Sequence, residues 1–246
     1  MKKFLAILIC TLMCVSLLAS CNKECANHVD DNEDGICDAC NSEYEFLFKL
    51  TYDESGYSLY RVGAGYKGGD VVIPSEYKGL PVVEIGYGAF KSEKKLTSVV
   101  IPNSVTLISD DAFENQTSLT SINVGKNVVT IGVSAFEGCT SLKTVVIGDA
   151  TENISAHAFD RCTSLESITL GKNVKKIGGS AFEECTSLKT ITIPASIEEM
   201  GAWVFYDTNM TDIYFGVSAP GENWSENWNQ YLNDSVNIHW AESIEK

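Results

Sequence analysis

Residues 131–148 read IGVSAFEGCTSLKTVVIG. The stretch returns at 154–171 as ISAHAFDRCTSLESITLG and at 177–194 as IGGSAFEECTSLKTITIP. Looser copies begin at Ile85 and Ile108, so the step between copies is 23 residues. The dipeptide Ala-Phe marks each copy, at Ala89-Phe90, Ala112-Phe113, Ala135-Phe136, Ala158-Phe159 and Ala181-Phe182, and Val204-Phe205 continues the series. Self-similarity at a fixed period of this size is the signature of a repeat architecture, in which each unit is one supersecondary element.

Three apolar columns follow the Phe mark. Leu96, Leu119, Leu142, Leu165 and Leu188 form the first; Val99, Ile122, Val145, Ile168 and Ile191 the second; Ile101, Val124, Ile147, Leu170 and Ile193 the third. The last two columns alternate with the two-residue period of a strand. Pro102, Gly125, Gly148, Gly171 and Pro194 then stop the strand and turn the chain. One unit cannot bury such a stripe alone. Stacked units turn each column into a continuous ladder of parallel strands about 4.8 Å apart. The fold predicted from this pattern is a solenoid of 23-residue coils with parallel β-strands and short helical or irregular turns.

Two departures stand out. Thr151 sits in the column of Val105, Val128, Val174 and Ile197, so its coil is expected to lose one apolar contact. The last unit is one residue short after Phe205, with Met210, Ile213 and Phe215 in the Leu-Ile-Ile positions, as befits a terminal repeat. The tail beyond it carries Trp224, Trp228, Tyr231 and Trp240, expected to close the open end of the sheet.

The unit I-G-x-x-A-F-x-x-C-T-S-L, seen whole at Ile131–Leu142, resembles the BspA-type leucine-rich repeats of bacterial surface proteins. The resemblance covers about residues 44–240 and includes a lead-in, Val71-Val72-Ile73-Pro74-Ser75 followed by Gly79–Gly86, which in that family forms a first, irregular coil. It implies a curved right-handed solenoid at the cell surface with a role in adhesion or protein binding, and it does not imply an enzyme.

Between the buried columns lie the residues expected to face outward: Ser98 and Val100, Ser121 and Asn123, Thr144 and Val146, Ser167 and Thr169, Thr190 and Thr192, then Asp212 and Tyr214. This face is small, neutral and rich in hydroxyls, flanked by Lys143, Glu166 and Lys189. Repeat proteins bind macromolecules on extended concave surfaces of this kind. A protein-binding or adhesive module using this face is the leading expectation. The alternative is a glycan-binding module with Trp224, Trp228 and Tyr231 as an exposed stacking platform. Burial of those rings against the last coil would make them a cap instead.

Catalytic constellations are not apparent. The histidines are His28, His157 and His239. His157 shares a variable column with Gly88, Asp111, Ser134 and Ser180, which reads as a solvated turn, and His239 lies in the tail with no acid or nucleophile at a telling spacing. Cys139, Cys162 and Cys185 recur at the repeat period. A thiol relay or metal site is one reading; buried cysteine used as a small hydrophobe is the preferred one. Glu93 and Gln116 in the same column place it near the rim.

The N-terminal region reads differently. Lys2 and Lys3 precede an apolar run, Phe4–Ala19, too short for a comfortable membrane span. Leu18-Ala19-Ser20-Cys21 resembles the lipobox of bacterial lipoproteins, which implies cleavage before Cys21 and a lipid on its sulfur. Residues 1–20 are thus expected to be a signal peptide, 21–43 a lipid-anchored Cys/His-rich segment, 44–215 the solenoid and 216–246 the cap and tail.

Within 21–43, Cys25, His28, Cys37 and Cys40 have the paired spacing of a structural Cys3His zinc knuckle. Asp30, Asn32, Asp34 and Asp38 interleave with them as half of a calcium loop, but Asn41 stands where such a loop calls for a bidentate glutamate. A disulfide among the three cysteines is the third possibility.

The formal charge of −15 becomes more negative by two once Lys2 and Lys3 are removed. Such a surface repels phosphate backbones, so nucleic acid is not an expected partner. The expected partner is an extracellular protein or glycan, met by an exported chain held to the membrane through Cys21.

Overall fold

The computed structural model describes residues 46–63, 65–91 and 96–241. The signal segment, Cys21, the candidate zinc ligands Cys25, His28, Cys37 and Cys40, and the alternative calcium ligands Asp30, Asn32, Asp34 and Asp38 lie outside the described residues. The described chain falls into two units. The smaller contributes Phe46, Leu47 and residues 61–63 and 65–67, with Tyr66 N–H donating to the Gly63 carbonyl at 3.0 Å. The larger holds residues 48–60 and everything from Gly68 onward, and it is the solenoid.

Two ladders of parallel strands run along it. On one side lie β3 (Gly69–Val72), β6 (Leu96–Val100), β8 (Ser121–Asn123), β10 (Thr144–Val146) and β12 (Ser167–Thr169), hydrogen-bonded in that order, then β14 (Thr190–Ile193), β16 (Asp212–Phe215) and β17 (Asn237–His239). On the other side lie β5 (Leu80–Ile85) and the two-residue strands β7 (Leu107–Ile108), β9 (Thr130–Ile131), β11 (Asn153–Ile154), β13 (Lys176–Ile177) and β15 (Glu199–Met200). The remaining strands are β1 (Phe46–Leu50), β2 (Tyr57–Val62), whose Leu59 pairs with Ile85, and β4 (Glu76–Tyr77), antiparallel to β5. The turns between ladders are irregular, and none of the described residues is helical.

The register repeats the sequence period. Thr144, Val145 and Val146 face Ser121, Ile122 and Asn123 on one side and Ser167, Ile168 and Thr169 on the other. In β14 and β16 the offset drops by one, Ile191 facing Ile213 and Ile193 facing Phe215, which absorbs the shortened last unit.

The core is the set of columns read from the sequence. Phe90, Phe113, Phe136, Phe159, Phe182 and Phe205 are buried and stack with centroids 5.0 to 5.9 Å apart and planes within 8° of parallel. Offset stacking adds about 0.5–1.5 kcal/mol per pair beyond the area buried. Backbone bonds lock the rings in step: from Phe90 to Phe159 each Phe N–H donates to the Ala carbonyl of the next coil, as in Phe113 to Ala135 at 2.8 Å and Phe136 to Ala158 at 2.9 Å, and Phe182 donates to the Val204 carbonyl at 3.0 Å.

Just before each Ala-Phe the backbone is left-handed, at Gly88, Asp111, Ser134, His157, Ser180 and Trp203, with φ between 53° and 58°. The conformation is disfavoured for L-residues by about 1–2 kcal/mol. It is held because the same residue's N–H reaches a carbonyl of the next coil, as in His157 to Gly179 at 3.0 Å.

Two sequence expectations need correction. The preferred reading of Cys139, Cys162 and Cys185 as buried cysteines holds, since they are free thiols with no exposure, and only the placement of their column near the rim is corrected. Their Sγ–H groups donate to the Phe113, Phe136 and Phe159 carbonyls of the preceding coil at 3.3, 3.2 and 3.2 Å. Gln116 occupies the equivalent place because its amide does the same work; Nε2 donates to the Phe90 carbonyl and Oε1 accepts from Leu96 N–H at 2.8 Å. From Gln116 to Cys185 the column places a buried donor against a Phe carbonyl of the coil before, which polarity alone did not reveal. Thr151 likewise leaves no defect, since it is fully buried with Oγ1 donating to the Val128 carbonyl at 2.7 Å.

A candidate binding face

Alternation within each long strand sends one set of side chains into the core and the other outward. In register, the outward set forms two columns. The first is Ser98, Ser121, Thr144, Ser167, Thr190 and Asp212; the second is Val100, Asn123, Val146, Thr169, Thr192 and Tyr214. All of these are exposed except Ser98 and Asp212, which are half-buried.

The structure extends both columns at each end. Asp70 and Val72 precede Ser98 and Val100 on β3, and Asn237 and His239 follow Asp212 and Tyr214 on β17. Sequence reasoning missed these four residues, although the signal was present. Val71-Val72-Ile73-Pro74 repeats Val99-Val100-Ile101-Pro102 letter for letter, and Asn237-Ile238-His239-Trp240 matches Asp212-Ile213-Tyr214-Phe215 in pattern. Both fall off the 23-residue step, which hid them.

The first column is a run of hydroxyls with a carboxylate near each end. Asp70 Oδ1 accepts from Thr97 Oγ1 and Ser98 Oγ, each at 2.7 Å, and these bonds hold its carboxyl below the usual range. Asp212 Oδ1 meets His239 Nε2 at 2.8 Å and Asn237 Nδ2 at 3.2 Å. The His239 bond is the chief reason its carboxyl too lies low. The second column is more apolar: Val72, Val100 and Val146 are exposed, and Tyr214 stacks on His239 at 4.3 Å with planes 7° apart. Over eight strands the face runs about 34 Å at the usual strand spacing.

The tryptophans do not form an exposed platform. Trp224 and Trp228 are 8% and 6% exposed and pack around Phe215 at 5.3 and 5.4 Å, with Trp240 stacked on the same ring at 4.5 Å. They are spent covering the last coil. Tyr231 alone of the three candidate rings is exposed, edge-on to Tyr206. The tail also closes the backbone: Trp203 N–H, left without a following coil, donates to the Asn227 carbonyl at 2.9 Å.

The remaining histidine, His157, sits in its turn with Nδ1 3.2 Å from Asp160 Oδ2. Among the described residues no helix is long and apolar enough to cross a membrane.

Comparison with known proteins agrees with this geometry. Residues 83–218 match the sequence profile of the BspA type Leucine rich repeat region in six copies. Among solved structures, a leucine-rich repeat protein of T. pallidum is 30% identical with a TM-score of 0.52, covering 69% of this chain and 68% of its own. A leucine rich cell surface protein from Faecalibacterium prausnitzii is 25% identical with a TM-score of 0.60, covering 74% of this chain and 56% of its own. No curated protein matches the chain.

Proposed function

Because the chain belongs to the BspA-type leucine-rich repeat family, we propose that it is a protein-binding module, adhesive in use, that presents the two outward columns to an extracellular protein. The observation that carries this reading is the in-register exposure of small hydroxyl and β-branched side chains along one face from Asp70 to His239. Short rigid side chains lose little entropy on contact, and a long flat surface suits a macromolecule better than a small molecule. In this reading the chain is exported and held at the bacterial surface by a lipid on Cys21. The segment with Cys25, His28, Cys37 and Cys40 stiffens the junction between anchor and solenoid, with or without a metal ion. The cell-surface neighbour from F. prausnitzii supports display outside the cell.

The test is capture of surface proteins from host or neighbouring cells by the intact chain. A variant carrying Val100→Lys, Val146→Lys and Thr192→Lys should lose the captured partner while melting like the wild type, since all three side chains are exposed. Undiminished capture by that variant would show that the face is the wrong one.

A further inference from the structure

The turn after each Phe carries a column of side chains, Lys91, Glu114, Glu137, Asp160, Glu183 and Tyr206, one per coil, of which Lys91 and Tyr206 are exposed, Glu114, Glu137 and Glu183 half-buried and Asp160 buried. Four successive carboxylates stacked at coil spacing repel one another unless each is balanced. The first two are. Lys91 Nζ pairs with Glu114 and with Asp111, and Arg161 pairs with Glu137. The next two have no such close pair: among the described residues neither Asp160 nor Glu183 has a lysine or arginine within ion-pair distance, and Asp160 is offset only by His157 and by the more distant Arg161.

Asp160 is only 8% exposed, and its Oδ1 is buried with no hydrogen-bond partner. Buried polar atoms are seldom left so, and each exception asks for an explanation. Burial is the main influence on its carboxyl, pushing it above the usual range; the His157 hydrogen bond opposes this, Glu183 and Glu137 add to it, and Arg161 offsets part. His157, in the left-handed turn of the same coil, brings Nδ1 to 3.2 Å from Asp160 Oδ2. One donor atom each from His157, Asp160 and Glu183 lies within 4.8 Å of the others.

We propose that His157, Asp160 and Glu183 bind a divalent transition-metal cation of the zinc class, bridging two adjacent coils. Tetrahedral zinc with bonds of about 2.0–2.2 Å sets its donors about 3.4 Å apart. The His157–Asp160 pair already has that separation, and Glu183, the longest of the three side chains, has the torsions to close the remainder. A neutral imidazole and two carboxylates carry two negative charges, which matches the ion. The imidazole selects against calcium and magnesium, which prefer all-oxygen shells. Three protein ligands leave the fourth position to water or to a group from a bound partner. Asp160 and Glu183, neither of which has a lysine or arginine within ion-pair distance, then share a counterion.

The experiment is zinc titration of the intact chain under reducing conditions, by calorimetry and by the ring resonances of His157. Asn is among the residues most tolerant of positive φ, so His157→Asn preserves the turn; Glu183→Gln preserves size. The expected result is one zinc equivalent fewer in each variant, a shift of the His157 ring signals in the wild type, and a zinc-dependent rise in melting temperature that His157→Asn loses. Comparison by difference removes any contribution from Cys25, His28, Cys37 and Cys40. Equal zinc stoichiometry and affinity in the wild type and both variants, or His157 signals unmoved by saturating zinc, would overturn the site.

Discussion

Phe159→Ala probes the element that most directly couples one coil to the next. The ring has no exposure and lies between Phe136 at 5.2 Å and Phe182 at 5.7 Å, nearly parallel to both. Truncating a buried Phe to Ala costs about 3–5 kcal/mol in transfer and cavity terms. Here the backbone around the ring is pinned by Phe136 N–H on Ala158 O and by Phe159 N–H on Ala181 O, each at 2.9 Å, so the cavity cannot collapse easily. Two stacked pairs are lost at once, which places the expected cost near the upper end, about 4–5 kcal/mol. Phe205 has one ring neighbour in the ladder, Phe182 at 5.9 Å, so Phe205→Ala should cost about 1 kcal/mol less. Urea unfolding followed by circular dichroism, with linear extrapolation, measures both. Because the energetics of a solenoid are nearest-neighbour, the interior variant should also broaden or split the transition. A loss under about 2 kcal/mol for Phe159→Ala, or a larger loss for Phe205→Ala, would refute the view that the ladder carries the coupling.

The buried thiols give a second prediction. Burial raises Cys139 to about 12 from an ordinary value of 9.0 and raises Cys162 and Cys185 as well. In the native protein the three should resist alkylation that modifies them readily in urea. Since the folded state holds its thiol protons and the unfolded state releases them, the stability they confer is complete below pH 9 and is lost as pH rises beyond it. Flat stability between pH 9 and 11 would count against this. The third concerns coil spacing. A Cβ at Gly171 would lie 2.2 Å from the Gly148 carbonyl oxygen, backbone that cannot step aside. Gly171→Ala should therefore destabilise by about 1–3 kcal/mol or more, and a melting temperature equal to the wild type would contradict the contact.

Much of this architecture could be read from the sequence because one physical constraint is repeated. Each of Leu142, Val145 and Ile147 is buried for the same reason as its counterpart one coil away, so periodicity revealed the core without any long-range inference. The outward columns followed from strand alternation alone. What escaped was whatever depended on a partner in another coil. Cys162 and Gln116 look unlike until both are seen to donate to a Phe carbonyl of the coil before. The His239–Asp212 contact crosses 27 residues and a break in the repeat, and no local spacing announces it. Trp224 and Trp228 close the open end as the aromatic tail predicts; only their common target, Phe215, lies beyond what local spacing shows. His157, Asp160 and Glu183 converge only because the chain returns to the same place after one circuit.

The contact that closes the last coil has a consequence for how such proteins change over generations. Asn227 offers Trp203 the carbonyl that another coil would have offered, and β17 pairs with β16 as another strand would have done. The terminator therefore recognises a generic coil edge and is indifferent to how many coils stand before it. Duplication or deletion of one 23-residue block inside the array would leave both ends correctly closed and would lengthen or shorten the outward face by a single strand. Reach becomes a heritable variable that moves in whole steps, open to selection without any redesign of the fold.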